Sequence, residues 1–227
     1  MPSGSEGTWH PMVRKPGKYP GDAVFERMLD KYDCPLLLDV LKMRFLGAIA
    51  SPDFGVSPLT VVRGCWEREL PEFADETEAG AFFETIMSLW NRLARHQNGV
   101  RVKLTKPTRL RDWSDMSDMF HVRGSEIIEG FLQSFDDTSV SGVPEPLEEF
   151  LDTLEKIGLL CFAECDRLMM FETGEDEEEP EWEQCKALLA DMTRTTEDLL
   201  TDFMKAAKTY RGMMIEAESG QNPGTRH

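Results

Sequence analysis

Apolar residues recur at spacings of three and four along most of this chain, which places them on one face of an α-helix. Such stripes run through residues 37–49, 79–93, 147–168 and 182–213. Polar stretches containing glycine and proline separate them. The pattern predicts an all-α fold, a multi-helical bundle that ends in an antiparallel hairpin of two long helices.

Local signals at the helix ends refine this picture. Asp33 with Pro35 behind it predicts the start of the second helix, because aspartate caps helix N-termini and proline is tolerated in the first turn. Asp75 with Glu78 three residues later predicts a capping box. Residues 100–104, VRVKL, alternate between polar and apolar positions. They have no clear partner run, so we expect at most one short edge strand there.

The same signals divide the chain into three parts. We expect a flexible N-terminal arm at 1–21, a single helical domain at 22–216 and a flexible tail at 217–227. Within the domain, residues 22–136 form a core region and 145–216 form the hairpin, with an acidic loop at 172–181. Glu175 to Glu183 contain seven carboxylates in nine residues, which is typical of a solvated loop and also suits weak cation binding.

Charge is distributed unevenly over the two halves. The chain has a formal net charge of −17, yet residues 1–113 sum to +1 and residues 114–227 to −18. Between Thr85 and Arg111 there are seven basic residues and no acidic one. These candidate partner-binding residues are Arg92, Arg95, Arg101, Lys103, Lys106, Arg109 and Arg111.

Three interpretations of this basic segment stay open. It can face the acidic half of its own chain or of a neighbouring copy, it can bind an acidic protein partner, or it can contact nucleic acid or another anion. The surrounding negative field weakens nucleic-acid binding, so we rank that interpretation last. Self-association stays open.

Candidate catalytic and metal-binding residues are sparse. Cys161 and Cys165 lie four residues apart, but both continue an apolar stripe, where a free cysteine packs as a small hydrophobic residue. A structural zinc site needs about four ligands, and the four histidines are scattered along the chain. We therefore expect no catalytic residue, no metal site and no cofactor. A metal-dependent hydrolase that uses carboxylates near the acidic loop remains the alternative.

The sequence also leads to an expectation about localisation. Its N-terminal residues have no apolar run of the secretory kind, and charged residues interrupt the longest apolar stretches. Its five cysteines are an odd number, which favours reduced thiols over a disulfide framework. We expect a cytoplasmic protein with no membrane-spanning segment.

The order of turns and aromatic residues in the first half resembles the YecA/YgfB-like family of bacterial proteins. The matching positions are Phe45, Leu46, Gly47, Ala48, Pro52, Ser57, Pro58, Trp66, Pro71, Phe73, Glu76, Glu78, Ala79 and Asn91. A second match is EIIEGFLQSF at 126–135, although Ile127 stands near the place of a family tryptophan. The resemblance covers residues 33–136.

The resemblance implies an all-helical fold and no established activity. Some family members add a cysteine-rich metal-binding tail, but this chain has no cysteine after Cys185, so a function of that tail is not carried over. The absence of a catalytic or ligand set, together with the uneven charge distribution, predicts a non-enzymatic protein of this type that acts as an adaptor or regulator through protein contacts.

Overall fold

The computed structural model describes residues 18–53, 56–66, 70–106, 109–139, 141–174 and 180–220. The predictions for most of the N-terminal arm (1–17), for the acidic run at 175–179 and for the last seven residues (221–227) lie outside the described residues. For residues 218–220 only the backbone is described.

The described part of the chain folds into α-helices and contains no strand, so the all-α prediction is confirmed. The α-helices are α1 (Asp22–Lys31), α2 (Leu38–Ala50), α3 (Pro58–Cys65), α4 (Glu76–Leu93), α5 (Trp113–Ser125), α6 (Gln133–Thr138), α7 (Glu145–Thr173) and α8 (Trp182–Gly220). A 3-10 segment at Ala94–Asn98 follows α4, and a π-helical segment at Glu126–Leu132 joins α5 to α6. None of the described helices combines the length and apolar character that crossing a membrane requires.

Capping explains where some of these helices begin. Asp75 accepts a hydrogen bond from the backbone N–H of Glu78 at 2.8 Å, as the capping-box prediction requires. In return, the Glu78 carboxylate accepts a hydrogen bond from the backbone N–H of Ala74, one residue before the cap. The prediction for Asp33 was wrong. That residue has a φ of 48°, outside the helical range, and α2 begins only at Leu38.

Helix α2 lies at the centre of the main core. Ten of its residues are buried, and it packs against the π-helical segment and α6. The backbone of α2 and that of the π-helical segment approach closely because each segment has a glycine where the two cross. A Cβ atom on Gly130 would lie 2.6 Å from Met43 Cβ and 3.1 Å from the carbonyl oxygen of Val40. Only a residue without a side chain fits this crossing.

A second, smaller apolar cluster lies between α5, α7 and the first turns of α8. Its buried members are Met116, Phe120, Cys161, Cys165, Leu168, Cys185, Leu189 and Met192. Helix α7 packs along α5, and it contacts α8 through rings such as Phe150 and Phe203, whose centroids are 5.9 Å apart. The antiparallel C-terminal hairpin itself stays a prediction.

Candidate functional site

The segment from Arg101 to Thr105 has no regular secondary structure and is not a strand. Its side chains alternate, with Val102 and Leu104 buried and Arg101 and Lys103 exposed. Its backbone donors bond to side chains of α8 instead of a neighbouring strand. Val102 N–H donates to Thr201 Oγ1 at 2.9 Å, and Leu104 N–H donates to Glu197 Oε1 at 3.1 Å. The predicted alternation of buried and exposed side chains is therefore confirmed. Side chains of α8, instead of a neighbouring strand, accept the hydrogen bonds of its backbone N–H groups.

A buried ion pair holds the end of this segment. Arg123 Nη2 donates to the carbonyl oxygen of Thr105 at 2.8 Å, while Arg123 Nη1 donates to Glu126. Burial raises the pKa of Glu126 to about 7, against the opposing effect of Arg123. The pair therefore fixes the Thr105 carbonyl at the end of the segment.

The exposed face of the segment forms one wall of a cleft of about 620 Å³. The opposite side comes from the end of α4, the 3-10 segment and Lys42 of α2. Its charged and titratable lining residues are Asp22, Lys42, Arg92, Arg95, His96, Arg101 and Lys103. The cleft brings together four of the seven basic residues that the sequence predicts as partner-binding.

Three of the cleft's cations are already paired with carboxylates of the same chain. Arg101 lies 2.6 Å from Asp198 and 3.7 Å from Glu197, and Lys103 lies 2.7 Å from Glu197. Lys42 lies 2.9 Å from Asp22 and 3.0 Å from Asp39. The acidic half of the chain therefore neutralises part of the basic segment, through the buried Glu197 in particular.

Arg92 and Arg95 differ in their contacts from the three cations that form ion pairs. The guanidinium of Arg92 lies over the ring of Tyr19, 4.4 Å from its centroid, and Arg95 Nε donates to the Arg92 carbonyl at 3.4 Å. Within the described ranges, neither arginine forms an ion pair with a carboxylate. The positive charge that no ion pair in the described ranges compensates is concentrated on these two side chains, and Asp22 is the lining carboxylate that Arg92 influences.

His96 adds a titratable group to the same wall. Its Nδ1 bonds to the carbonyl oxygen of Val100 at 2.8 Å, so Nδ1 carries the proton and Nε2 is left without one in the neutral ring. Burial, with Arg92 and Arg95 nearby, lowers the pKa of His96 below its usual value, although the Val100 bond opposes this. The neutral form of the imidazole is therefore favoured.

The three remaining predicted residues lie outside the cleft. Lys106 and Arg109 are exposed, and Arg111 pairs with Asp115 in the first turn of α5 at 2.9 Å. Lys42 and Asp22, which do line the cleft, were missed because they come from helices distant in sequence from the basic segment. The Arg123–Glu126 pair was missed too; its only signal is opposite charges three residues apart.

The cysteines lie where the apolar stripe predicts. Cys161 is fully buried and Cys165 is 5% exposed, both inside the second cluster. Burial raises the pKa of the Cys161 thiol to about 12. Within the part of the chain that the structure describes, no three histidine, cysteine or acidic residues are grouped closely enough to hold a metal ion.

Comparisons with models of protein families, with curated proteins and with solved structures found no match to this chain. The resemblance to the YecA/YgfB-like family therefore stays a prediction based on the residues named above.

Proposed function

We propose that this chain is a non-enzymatic, cytoplasmic adaptor or regulatory protein that binds an acidic segment of a protein partner in the basic cleft. The observation that carries the proposal is the position of Arg92 and Arg95. Both line the cleft, and neither has a carboxylate partner among the described residues. A glutamate- or aspartate-rich segment supplies the missing carboxylates, which arginine binds in bidentate geometry.

The basic side chains of the cleft that form internal ion pairs remain accessible to a ligand. Arg101 is 46% and Lys103 is 58% exposed at the side chain, so a bound segment can reach both without displacing the buried Glu197. Exposed charges of this kind contribute mainly to association rate and orientation. The volume of about 620 Å³ lies within the range of ordinary binding pockets and suits a short extended segment better than a whole domain.

A matched pair of charge reversals tests this proposal. The double variant Arg92→Glu/Arg95→Glu alters the cleft, whereas Lys106→Glu/Arg109→Glu changes the net charge equally outside it. Binding of a labelled polyglutamate peptide is measured by fluorescence anisotropy at two salt concentrations. We expect the cleft variant to lose about tenfold or more in affinity and the control to stay within about twofold of wild type.

Two outcomes contradict the proposal. Equal losses in both variants would show that net charge alone attracts the peptide. Stronger, steeply salt-dependent binding of single-stranded DNA than of polyglutamate would favour nucleic-acid contact instead. If the cleft variant behaves as expected, affinity capture from native lysate with wild type and both variants identifies partners that depend on the cleft.

A further inference from the structure

A second groove, of opposite charge, lies on another part of the molecule. It runs between α7 on one side and the π-helical segment with α6 on the other, and encloses about 500 Å³. Its floor consists of Ile128, Leu132 and Leu151, which are half-buried. Ile128 and Leu132 are four residues apart, so they form an apolar row along the helix.

Carboxylates form the two walls of this groove. Glu129, Asp136 and Asp137 come from the π-helical segment and α6, and Asp152 and Glu155 from α7. No ion pair in the described ranges includes any of these five residues. Each wall therefore carries uncompensated negative charge along its helix.

Arg44 lies beside one wall, but its hydrogen bonds there go to uncharged acceptors. Arg44 donates through Nε to the backbone carbonyl of Glu129 and through Nη2 to the amide oxygen of Gln133, both at 3.1 Å. Burial, with repulsion from Asp137 and Glu155, raises the pKa of Asp136 above its usual value. The carboxylates repel one another, and a cationic ligand between them relieves that repulsion.

We propose that this groove docks a basic amphipathic helix of a partner protein. The apolar face of such a helix covers Ile128, Leu132 and Leu151, while its lysine and arginine side chains reach Asp136 on one wall and Glu155 on the other. The charge complementarity selects a cationic partner, and the two helical walls with an apolar row between them suit the helix-in-groove mode. The proposal does not depend on the basic cleft, because the two sites share no residue.

The probe is a synthetic peptide of about 18 residues, roughly five helical turns, with leucines on one face and lysines on the other. A scrambled peptide of the same composition has the charge without the apolar face. The groove variant is Asp136→Asn/Asp152→Asn/Glu155→Gln, which keeps side-chain size. The matched control is Asp30→Asn/Asp118→Asn/Asp166→Asn, three exposed carboxylates outside the groove.

We expect wild type and the control to bind the amphipathic peptide equally and the groove variant to bind about tenfold more weakly in calorimetry. The scrambled peptide should bind wild type at least about tenfold more weakly than the amphipathic one. Circular dichroism of each variant checks that its helical content matches that of wild type.

Three results would overturn the proposal. The first is absence of amphipathic-peptide binding to wild type, and the second is an equal loss in both triple variants. The third is a concentration-dependent dimer of wild type that disappears only in the groove variant, since the occupant would then be a second copy of this chain.

Discussion

Arg123 and Glu126 form a fully buried ion pair at the junction of α5 and the π-helical segment, with 0% and 2% of their side chains exposed. Arg123 donates to the carbonyl oxygen of Thr105 and so joins this junction to the wall of the basic cleft. Arg123 Nε has no hydrogen-bond partner in the described structure. Because π-helical segments are uncommon and often occur at functional sites, this junction is where we expect cleft geometry to be most sensitive.

Replacing Arg123 tests how much the pair contributes. Arg123→Met leaves a buried carboxylate without its cation and Thr105 without its donor, so we expect the free energy of unfolding at pH 8 to fall by about 3–5 kcal/mol. The double variant Arg123→Met/Glu126→Leu removes both charges and should cost less than the sum of the single changes. Urea denaturation of Arg123→Met, Glu126→Leu and the double variant measures this, and additive costs would contradict the coupling.

The raised pKa of Glu126 makes a separate prediction about pH. Its folded pKa of about 7 exceeds the ordinary value of 4.5, so the folded state binds more protons than the unfolded state between these values. The stability that Glu126 contributes is therefore full below pH 4.5 and is lost as pH rises towards 7. Glu126→Gln lacks this titration, and its free energy of unfolding should gain about 3 kcal/mol relative to wild type across the interval. A constant difference in denaturation experiments at several pH values would contradict the shift.

How much of the fold could be predicted from the sequence depends on how far apart in the chain the interacting residues lie. The helices followed from local periodicity, and the Asp75 cap from residues three apart. The structure of residues 100–104 could not be predicted in this way, because the backbone N–H of Leu104 donates to Glu197, 93 positions away. Local pattern indicates an extended backbone, but it does not indicate whether a strand or a helix satisfies its donors.

The same distinction between local and long-range interactions applies to the basic cleft. The sequence located the basic segment, and four of its residues do line one cleft. It could not separate the neutralised Arg101 and Lys103 from Arg92 and Arg95, which form no ion pair with any described residue, since that depends on how α8 packs. Burial of Arg123 was also beyond reach, because a charged residue on a helix is usually solvated.

The bond between Val102 and Thr201 can be tested in isolation. Thr201→Val keeps the side-chain shape but removes the acceptor for a buried N–H, which should cost about 1–3 kcal/mol of stability. Thr209→Val is the matched control, since Thr209 is exposed and bonds only to a carbonyl of its own helix. Hydrogen exchange should accelerate at the Val102 amide in the first variant alone. Unchanged protection there would show that α8 does not hold the segment.

Thiol chemistry distinguishes the five cysteines. Burial raises the pKa of Cys65 and Cys161 to about 12, and Cys165 and Cys185 are at most 5% exposed. Cys34 is half-buried, and its pKa is raised as well. We expect Cys34 alone to react with a chromogenic disulfide reagent at pH 8, and the other four only after unfolding in urea. Rapid reaction of a second thiol in the native protein would contradict the burial.

Two glycine substitutions test the crossing of α2 with the π-helical segment. A Cβ on Gly47 would overlap the carbonyl oxygen of Phe131 and lie 3.0 Å from the backbone nitrogen of Phe135, and neither backbone atom can move without shifting its helix. We therefore expect Gly47→Ala to lower the free energy of unfolding by about 1–3 kcal/mol, although alanine has the better helix propensity.

Gly80 provides the matched control, because it lies in α4 with no atom within 4 Å of an added Cβ. Gly80→Ala should raise the free energy of unfolding by about 0.5–1 kcal/mol through helix propensity alone. The opposite signs of the two changes, measured by urea denaturation, separate the effect of the crossing from that of propensity. A stabilising Gly47→Ala would show that the two helices do not approach each other closely at this point.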